Sequence, residues 1–438
     1  MTTSERAAVS ARDALRVWVR IALQSFGGPA GQIAVVQRIV VDEKRWLGEE
    51  QFLHALSYCM LLPGPEAQQL VTYIGWMLHG VRGGLIAGSL FILPGFVSIL
   101  ALSVLYAGYH DVGVVAGVFF GVKPAVVVVV VQAILRLRTR ALGDRLSVAL
   151  AVSAFVSIFV FAVPFPLIIG GAAIVGALAM RDVNSGSSSL GVLTARPVEP
   201  PSLPATARTA ALWLAIWLIP LAALRLTLGA DHVFVREGEF FSQTAAVTFG
   251  GAYSVLSFVA QRAVDSFHWL TPREMLDGLG MAETTPGPLI QVVQFVGFMG
   301  AWRNAGSLPP LAAGVLGSIV TTWMTFAPCF LFIFVGAPYV EYLRQNHRLS
   351  AALRGITAAV VGVVANLAAW FALHTLFGEL RSVRLGVASL LVPVVASLDW
   401  HAAAITLAAA LAMFRWKVGM LPTLLGAAVA GVLLHGMR

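Results

Sequence analysis

Apolar stretches of bilayer-spanning length follow one another along almost the whole chain. They lie at about 15–36, 53–79, 84–106, 112–135, 146–163 and 166–180, and again at about 210–228, 241–264, 275–300, 308–336, 352–377, 385–398, 401–416 and 420–436. A helix needs around 17 to 25 apolar residues to cross a bilayer, and only helices and closed barrels satisfy their backbone polar groups inside one. The expected fold is therefore an all-α polytopic membrane protein with about 10–14 transmembrane segments. Composition closes the soluble alternative. Hydrophobic residues make up 58%, charged residues 11%, and mean hydropathy is +0.84. Soluble domains carry about twice that charged fraction, and a soluble chain would have to hide many helices that are apolar on every face.

Internal repetition organises the chain. Phe26-Gly27-Gly28 recurs as Phe249-Gly250-Gly251, 223 positions later. At the same offset Asp42 meets Asp265, Trp46-Leu47 meets Trp269-Leu270, Pro63-Gly64-Pro65 meets Pro286-Gly287-Pro288, and Gln68 meets Gln291. Further on, Gly121-x-x-x-Ala125-Val126-Val127 aligns with Gly355-x-x-x-Ala359-Val360-Val361 at an offset of 234, which points to an insertion near RNAGSLPP, 303–310. The expected domains are a first repeat over 1–180, a linker plus one connecting transmembrane helix over 181–240, and a second repeat over 241–438. The stretch from Arg181 to Thr209 is rich in Ser, Gly and Pro and reads as a flexible linker.

Loop charge orients the repeats. The segment RLRTRALGDR after Lys123 carries four arginines and should be cytoplasmic. In the second copy the arginines Arg344, Arg348 and Arg354 instead precede the equivalent segment, although Arg381 and Arg384 follow it. The expectation is inverted topology, with 210–228 as the single crossing that flips the second copy. The net charge of +8 is then mostly topological. No secretory signal is read in MTTSERAAVSARDALRVWVR, which lacks a compact apolar core followed by a small-residue cleavage site.

Each copy interrupts its apolar runs twice, once at FGGPAGQ (26–32) or FGGAYS (249–254), and once at PGP. A Pro inside a helix costs roughly 3 kcal/mol. A helix broken at mid-membrane exposes an N-terminus with unpaired N–H groups and about half a positive charge, which suits an anion, and Pro at the first helical position costs nothing there. Inverted repeats with paired breaks are a recurrent plan in secondary transporters. The plainer alternative is that the glycines serve packing and the prolines kinking. Recurrence of both breaks at one offset favours a site.

Charged groups at membrane depth are functional candidates. Glu66 follows the first PGP and Glu283 precedes the second, and they are not register mates. Either is a proton-coupling candidate. Glu66 is otherwise a first-turn acid at a helix start, and Glu283 a boundary residue near water. Lys123, in FFGVKPAVVVVVVQ, either complements a dianion or snorkels to the interface. Gln32, Gln68, Gln69, Gln291 and Gln294 place neutral amides near the breaks, for a ligand or for helix–helix bonding.

The pairing of SFGGPAGQ (25–32) with LPGPEAQQL (62–70), together with TFGGAY (248–253), TTPGPL (284–289) and GVKPAVV (121–127), resembles the chromate transporter family in its long, two-domain form. The resemblance implies export of chromate across the bacterial inner membrane, driven by the proton gradient, with chromate resistance as the outcome and sulfate as a related cargo. It also implies substrate-binding roles for Gly27, Gly28, Pro29, Pro63, Gly64, Pro65, Gln68, Lys123, Gly250, Gly251, Pro286, Gly287 and Pro288, with Gln32 and Gln291 beside them, and a role for Glu66. The expected partners are the oxyanion, protons and the lipid bilayer, with no nucleic acid. A homodimer is the assembly base rates favour.

Other functions lack their residues. No G-x-x-x-x-G-K-[ST] loop is present for an ATP-driven pump. No H-E-x-x-H array, paired acids or dinucleotide fingerprint supports an enzyme. Cys59 and Cys329 stand alone, so no metal or cofactor is expected. An oxyanion channel, or a sulfate/oxyanion exchanger with a different cargo, is the alternative within transport.

Overall fold

The computed structural model describes residues 9–26, 28–60, 62–109, 112–180, 202–249, 252–339, 347–385 and 388–435. Among them are sixteen α-helices and one two-stranded hairpin. The first half runs α1 (Ala11–Gln24), α2 (Gly28–Gln37), α3 (Glu49–Cys59), α4 (Glu66–Tyr109), α5 (Gly113–Ala141), α6 (Arg145–Phe159) and α7 (Phe165–Ala179). A connecting helix α8 (Leu203–Leu228) leads to α9 (Val233–Val247), α10 (Ala252–Gln261), α11 (Pro272–Thr284), α12 (Val292–Arg303), α13 (Pro310–Gly336) and α14 (His347–Leu376). Strands β1 (Leu380–Leu385) and β2 (Ala388–Pro393) precede α15 (Trp400–Ala410) and α16 (Met420–His435).

Five of these helices are long and apolar enough to cross a membrane, and four shorter apolar helices accompany them among the described residues. The chain is a multi-pass helical membrane protein. Several expected spans are in fact half-helices meeting at a break, because Ser25-Phe26, PGP and their counterparts stop the ladder midway. Among the described residues, the run at 385–398 contains no α-helix, only a short 3-10 turn at Val395–Ser397. It forms the antiparallel hairpin Leu380↔Pro393 to Leu385↔Ala388, which suits its β-branched residues and a proline at the strand end. The linker ends earlier than its composition suggests: 181–201 lie outside the described residues, and Leu203-Pro204 already opens α8.

The same local devices recur 223 positions apart. The chain after α2 widens into a π turn, Arg38–Glu43, closed by Arg45 at φ 53°; after α10 it does so at Arg262–Ser266, closed by His268 at φ 53°. Helix α4 folds back on itself at His79–Gly80, where Gly80 has φ 62°. Its counterpart is two helices, α12 and α13, joined by the inserted loop 304–309.

The terminal hairpins are exchanged between halves. Helices α6 and α7 pack on α14, while α15 and α16 pack on α5. Both crossings use small residues: Gly121 lies on the Ala427 carbonyl with Gly431 beside it, and Gly355 lies on the Ala172 carbonyl with Gly176 beside it. Lipid tails are as apolar as leucine, so close backbone packing of this kind, rather than the hydrophobic effect, holds helices together in a bilayer. Helix α8 is the opposite case. Only 11% of its apolar window is buried, and Leu212, Leu218, Ile219 and Leu226 face outward, so most of its apolar surface faces away from the other helices.

Candidate functional site

The breaks of one half are bonded to the PGP turns of the other. The Ser25 carbonyl, ending α1, accepts the Gly287 N–H at 2.9 Å, and the Thr248 carbonyl, ending α9, accepts the Gly64 N–H at 2.7 Å. Ser25 and Thr248 are register mates, as are Gly64 and Gly287. Both turn glycines occupy the left-handed half of φ space, at 130° and 103°, where a side chain is strained. Prolines stand where a helix start tolerates them: Pro29 in the first turn of α2, Pro65 just before α4, and Pro288 before the 3-10 turn Leu289–Gln291 that leads into α12. The N-termini of α2 and α10 also meet, since the Tyr253 hydroxyl lies against Gly28. Helix starts therefore converge on this crossing from both halves, each with first-turn N–H groups that have no intrahelical partner.

The amides and acids distribute around it. Gln32 Nε2 donates to the Gly287 carbonyl at 2.6 Å, and Gln69 Nε2 to the Pro63 carbonyl at 2.7 Å. Gln68 Nε2 donates to Thr72 Oγ1, Gln291 Nε2 to Gln294 Oε1 and Thr322 Oγ1, and Gln294 Nε2 to the Phe96 carbonyl. Each of these NH2 groups spends one N–H on a protein acceptor, and that of Gln291 spends two, whereas the Oε1 atoms of Gln68, Gln69 and Gln291 have no partner among the described residues. The glutamines thus brace the turns. Pro286 packs against Gly95. Gly27, Gly250 and Gly251 lie outside the described residues.

Glu283 is fully buried and is no boundary residue. Its Oε1 accepts the Tyr253 hydroxyl at 2.5 Å, and its Oε2, without a partner among the described residues, faces Gly28 at the start of α2. Glu66 opens α4 and is half-buried. Lys123 neither snorkels nor stands free: its Nζ lies 3.1 Å from Asp277 Oδ2, which also accepts the Tyr106 hydroxyl at 2.8 Å. Lys123 forms part of the wall of a cavity of about 470 Å3, shared with Arg273, His374, Thr375 and His401 and lying beside the β-hairpin. Removing one partner of a buried pair costs about 3–5 kcal/mol, whereas replacing both is near neutral. Lys123→Met should therefore lower the melting temperature sharply, and Lys123→Met with Asp277→Asn should restore most of it. Equal melting temperatures for the two would dismiss the pair as a structural unit.

Asp277, Tyr253 and Tyr106 were not among the sequence candidates. Asp277 lies inside the apolar run 275–300, and that position was a readable signal; Tyr253 belongs to the TFGGAY motif without being singled out by its chemistry.

Comparison with known proteins bears on the same geometry. The family model for the chromate transporter matches residues 12–177 and 238–432, the two stretches that carry the bonded breaks. The chain belongs to the chromate transporter family. A chromate transport protein of Pseudomonas aeruginosa is 34% identical over 351 residues, covering 79% of this chain and 77% of that protein. A chromate transport protein of Cupriavidus metallidurans is 26% identical over 353 residues, covering 81% and 80%. An uncharacterized transporter of Methanocaldococcus jannaschii is 25% identical over 367 residues, covering 83% and 85%. No solved structure matches the chain. As a long chromate transporter family member built of apolar helices, the protein belongs in the bacterial inner membrane.

Proposed function

We propose that the protein is a secondary active transporter that exports chromate across the inner membrane at the expense of the proton gradient, so conferring chromate resistance, with sulfate as a competing cargo. The observation that carries this reading is the crossing of Ser25–Gly287 with Thr248–Gly64, which gathers positive helix ends in a buried place suited to a tetrahedral dianion. The two halves act as inverted repeats that rock about this crossing, α8 being the single span that reverses the second. The oxyanion is held by backbone N–H groups at the starts of α2, α4, α10 and α12, with Lys123 and Arg273 drawing it through the adjoining cavity. Glu283, beside the α2 start, and Glu66, at the α4 start, are the carboxyls placed to exchange protons there. The protein works as a transporter rather than as an enzyme, and a homodimer is its expected assembly.

The test is uptake of labelled chromate into inverted inner-membrane vesicles energised with NADH, with and without an uncoupler, and with sulfate as competitor. Uptake should collapse with the uncoupler and fall with sulfate. Uptake indifferent to the uncoupler would point to a channel or exchanger, and no uptake from vesicles that contain the protein would remove chromate as the cargo. Glu283→Gln should leave the protein inserted and cut uncoupler-sensitive uptake by about tenfold or more, the size of a typical coupling free energy.

A further inference from the structure

We propose that Glu237 is a proton-binding site built into the second repeat, and that the proton it holds seats α9 for the transport cycle. The inference rests on the proton-coupled reading above. Glu237 is fully buried, and neither carboxyl oxygen has a hydrogen-bond partner among the described residues. Two glycines make its slot. A methyl group on Gly300 of α12 would stand 2.9 Å from Oε1, and one on Gly317 of α13 would stand 3.0 Å from Oε2. Beside Gly317 on α13, Ser318 Oγ and Thr321 Oγ1 are also buried without partners among the described residues, whereas Thr325, one turn on, donates back to its own helix.

Among the described residues, no cation answers this carboxyl. On α9 itself, Arg236 pairs with Asp231 and Glu239 with Arg225 of α8. From α12, Arg303 is engaged by Glu274 and the Trp269 carbonyl. Helices α10 and α13 carry no charged residue, and the other arginine of α8, Arg208, lies nearly five turns from Arg225, at the far end of that helix. A carboxylate buried with neither ion partner nor hydrogen bond costs several kcal/mol, whereas the neutral acid is far cheaper to bury. The slot therefore accepts Glu237 with a proton and rejects it without one. The first repeat has Ala14 at the register position, so the device belongs to the second half alone. Its reach to the oxyanion site is direct, because α9 ends at the Thr248 carbonyl that holds Gly64. Unseating α9 disturbs that bond.

The experiment compares full-length wild type with Glu237→Gln, a neutral isostere that fits the same slot. In proteoliposomes, exchange of labelled for unlabelled chromate at equal pH on both sides should stay within about twofold, while uptake driven by an imposed pH gradient should fall by about tenfold or more. Gradient-driven uptake equal to wild type overturns the proposal, and so does equal loss of both activities in a well-folded variant. A second arm needs no cargo: the melting temperature of the wild type in detergent should fall more steeply between about pH 5 and pH 8 than that of Glu237→Gln, since a proton bound only by the folded chain is lost as pH rises. Parallel pH profiles overturn the proton site even if no oxyanion is carried, and diverging ones uphold it if the cargo reading fails.

Discussion

Gly287→Ala should abolish chromate transport and destabilise the protein, and should do so more severely than Gly64→Ala, although the two glycines are register mates. Both sit at positive φ, 103° and 130°, and a non-glycine residue there costs about 1–3 kcal/mol. The difference lies in what a Cβ would meet. At Gly287 it would fall 3.0 Å from the backbone N and Cα of Gly95 on α4, which cannot move without displacing the helix. At Gly64 it would meet the tip of Gln69 and the Cys329 sulfur, both side-chain ends that can turn aside. Alanine at 287 therefore pushes α4 off the PGP turn and breaks the Ser25–Gly287 bond, while alanine at 64 costs mainly local strain. Melting temperature in detergent and vesicle uptake report the order, and the reverse order would mean that α4 does not brace the turn.

What the sequence made legible is what repeats or what lies close along the chain. PGP, FGG and the Gln68/Gln291 pair announce themselves because a helix break needs particular residues locally and because each appears twice at one offset. The pairing of break with turn across halves was not readable. Ser25 and Gly287 are joined only by the fold, and symmetry alone would equally allow each break to pair with its own PGP. Glu237 was hidden for a different reason. Arg236 and Glu239 flank it and make the start of α9 look like a solvated loop, yet at about 100° per residue its neighbours turn outward to their ion partners while Glu237 turns inward. Lys123 read as anion ligand or snorkelling residue because Asp277 is remote in sequence. The run at 385–398 was misjudged because a short apolar stretch looks alike as buried helix or strand until its partner strand is known.

The exchange of terminal hairpins makes its own demand. Gly121→Leu should unseat α15 and α16, which belong to the other half, and Gly355→Leu should unseat α6 and α7 in the mirror fashion. In each case the Cβ would enter a backbone carbonyl, that of Ala427 or Ala172, with a facing glycine Cα at 2.9 or 2.8 Å. Ordinary overpacking costs about 1–3 kcal/mol because side chains can shift; here backbone meets backbone, so the expected cost lies at or beyond the top of that range. Gly170→Leu on α7 is the matched control, since nothing lies within 4 Å of its Cβ position. Size-exclusion profiles of detergent-purified protein should show the folded peak for Gly170→Leu and its loss for both crossing variants. A folded, transporting Gly121→Leu protein would mean that the hairpins are not clamped at these crossings. The two halves would then be free to separate, and a transporter that rocks one repeat against the other needs each hairpin to travel with the half it packs on rather than with the half that encodes it. On the rocking motion proposed above, the crossings at Gly121 and Gly355 would define the moving bodies, with α5 carrying α15 and α16 and α14 carrying α6 and α7.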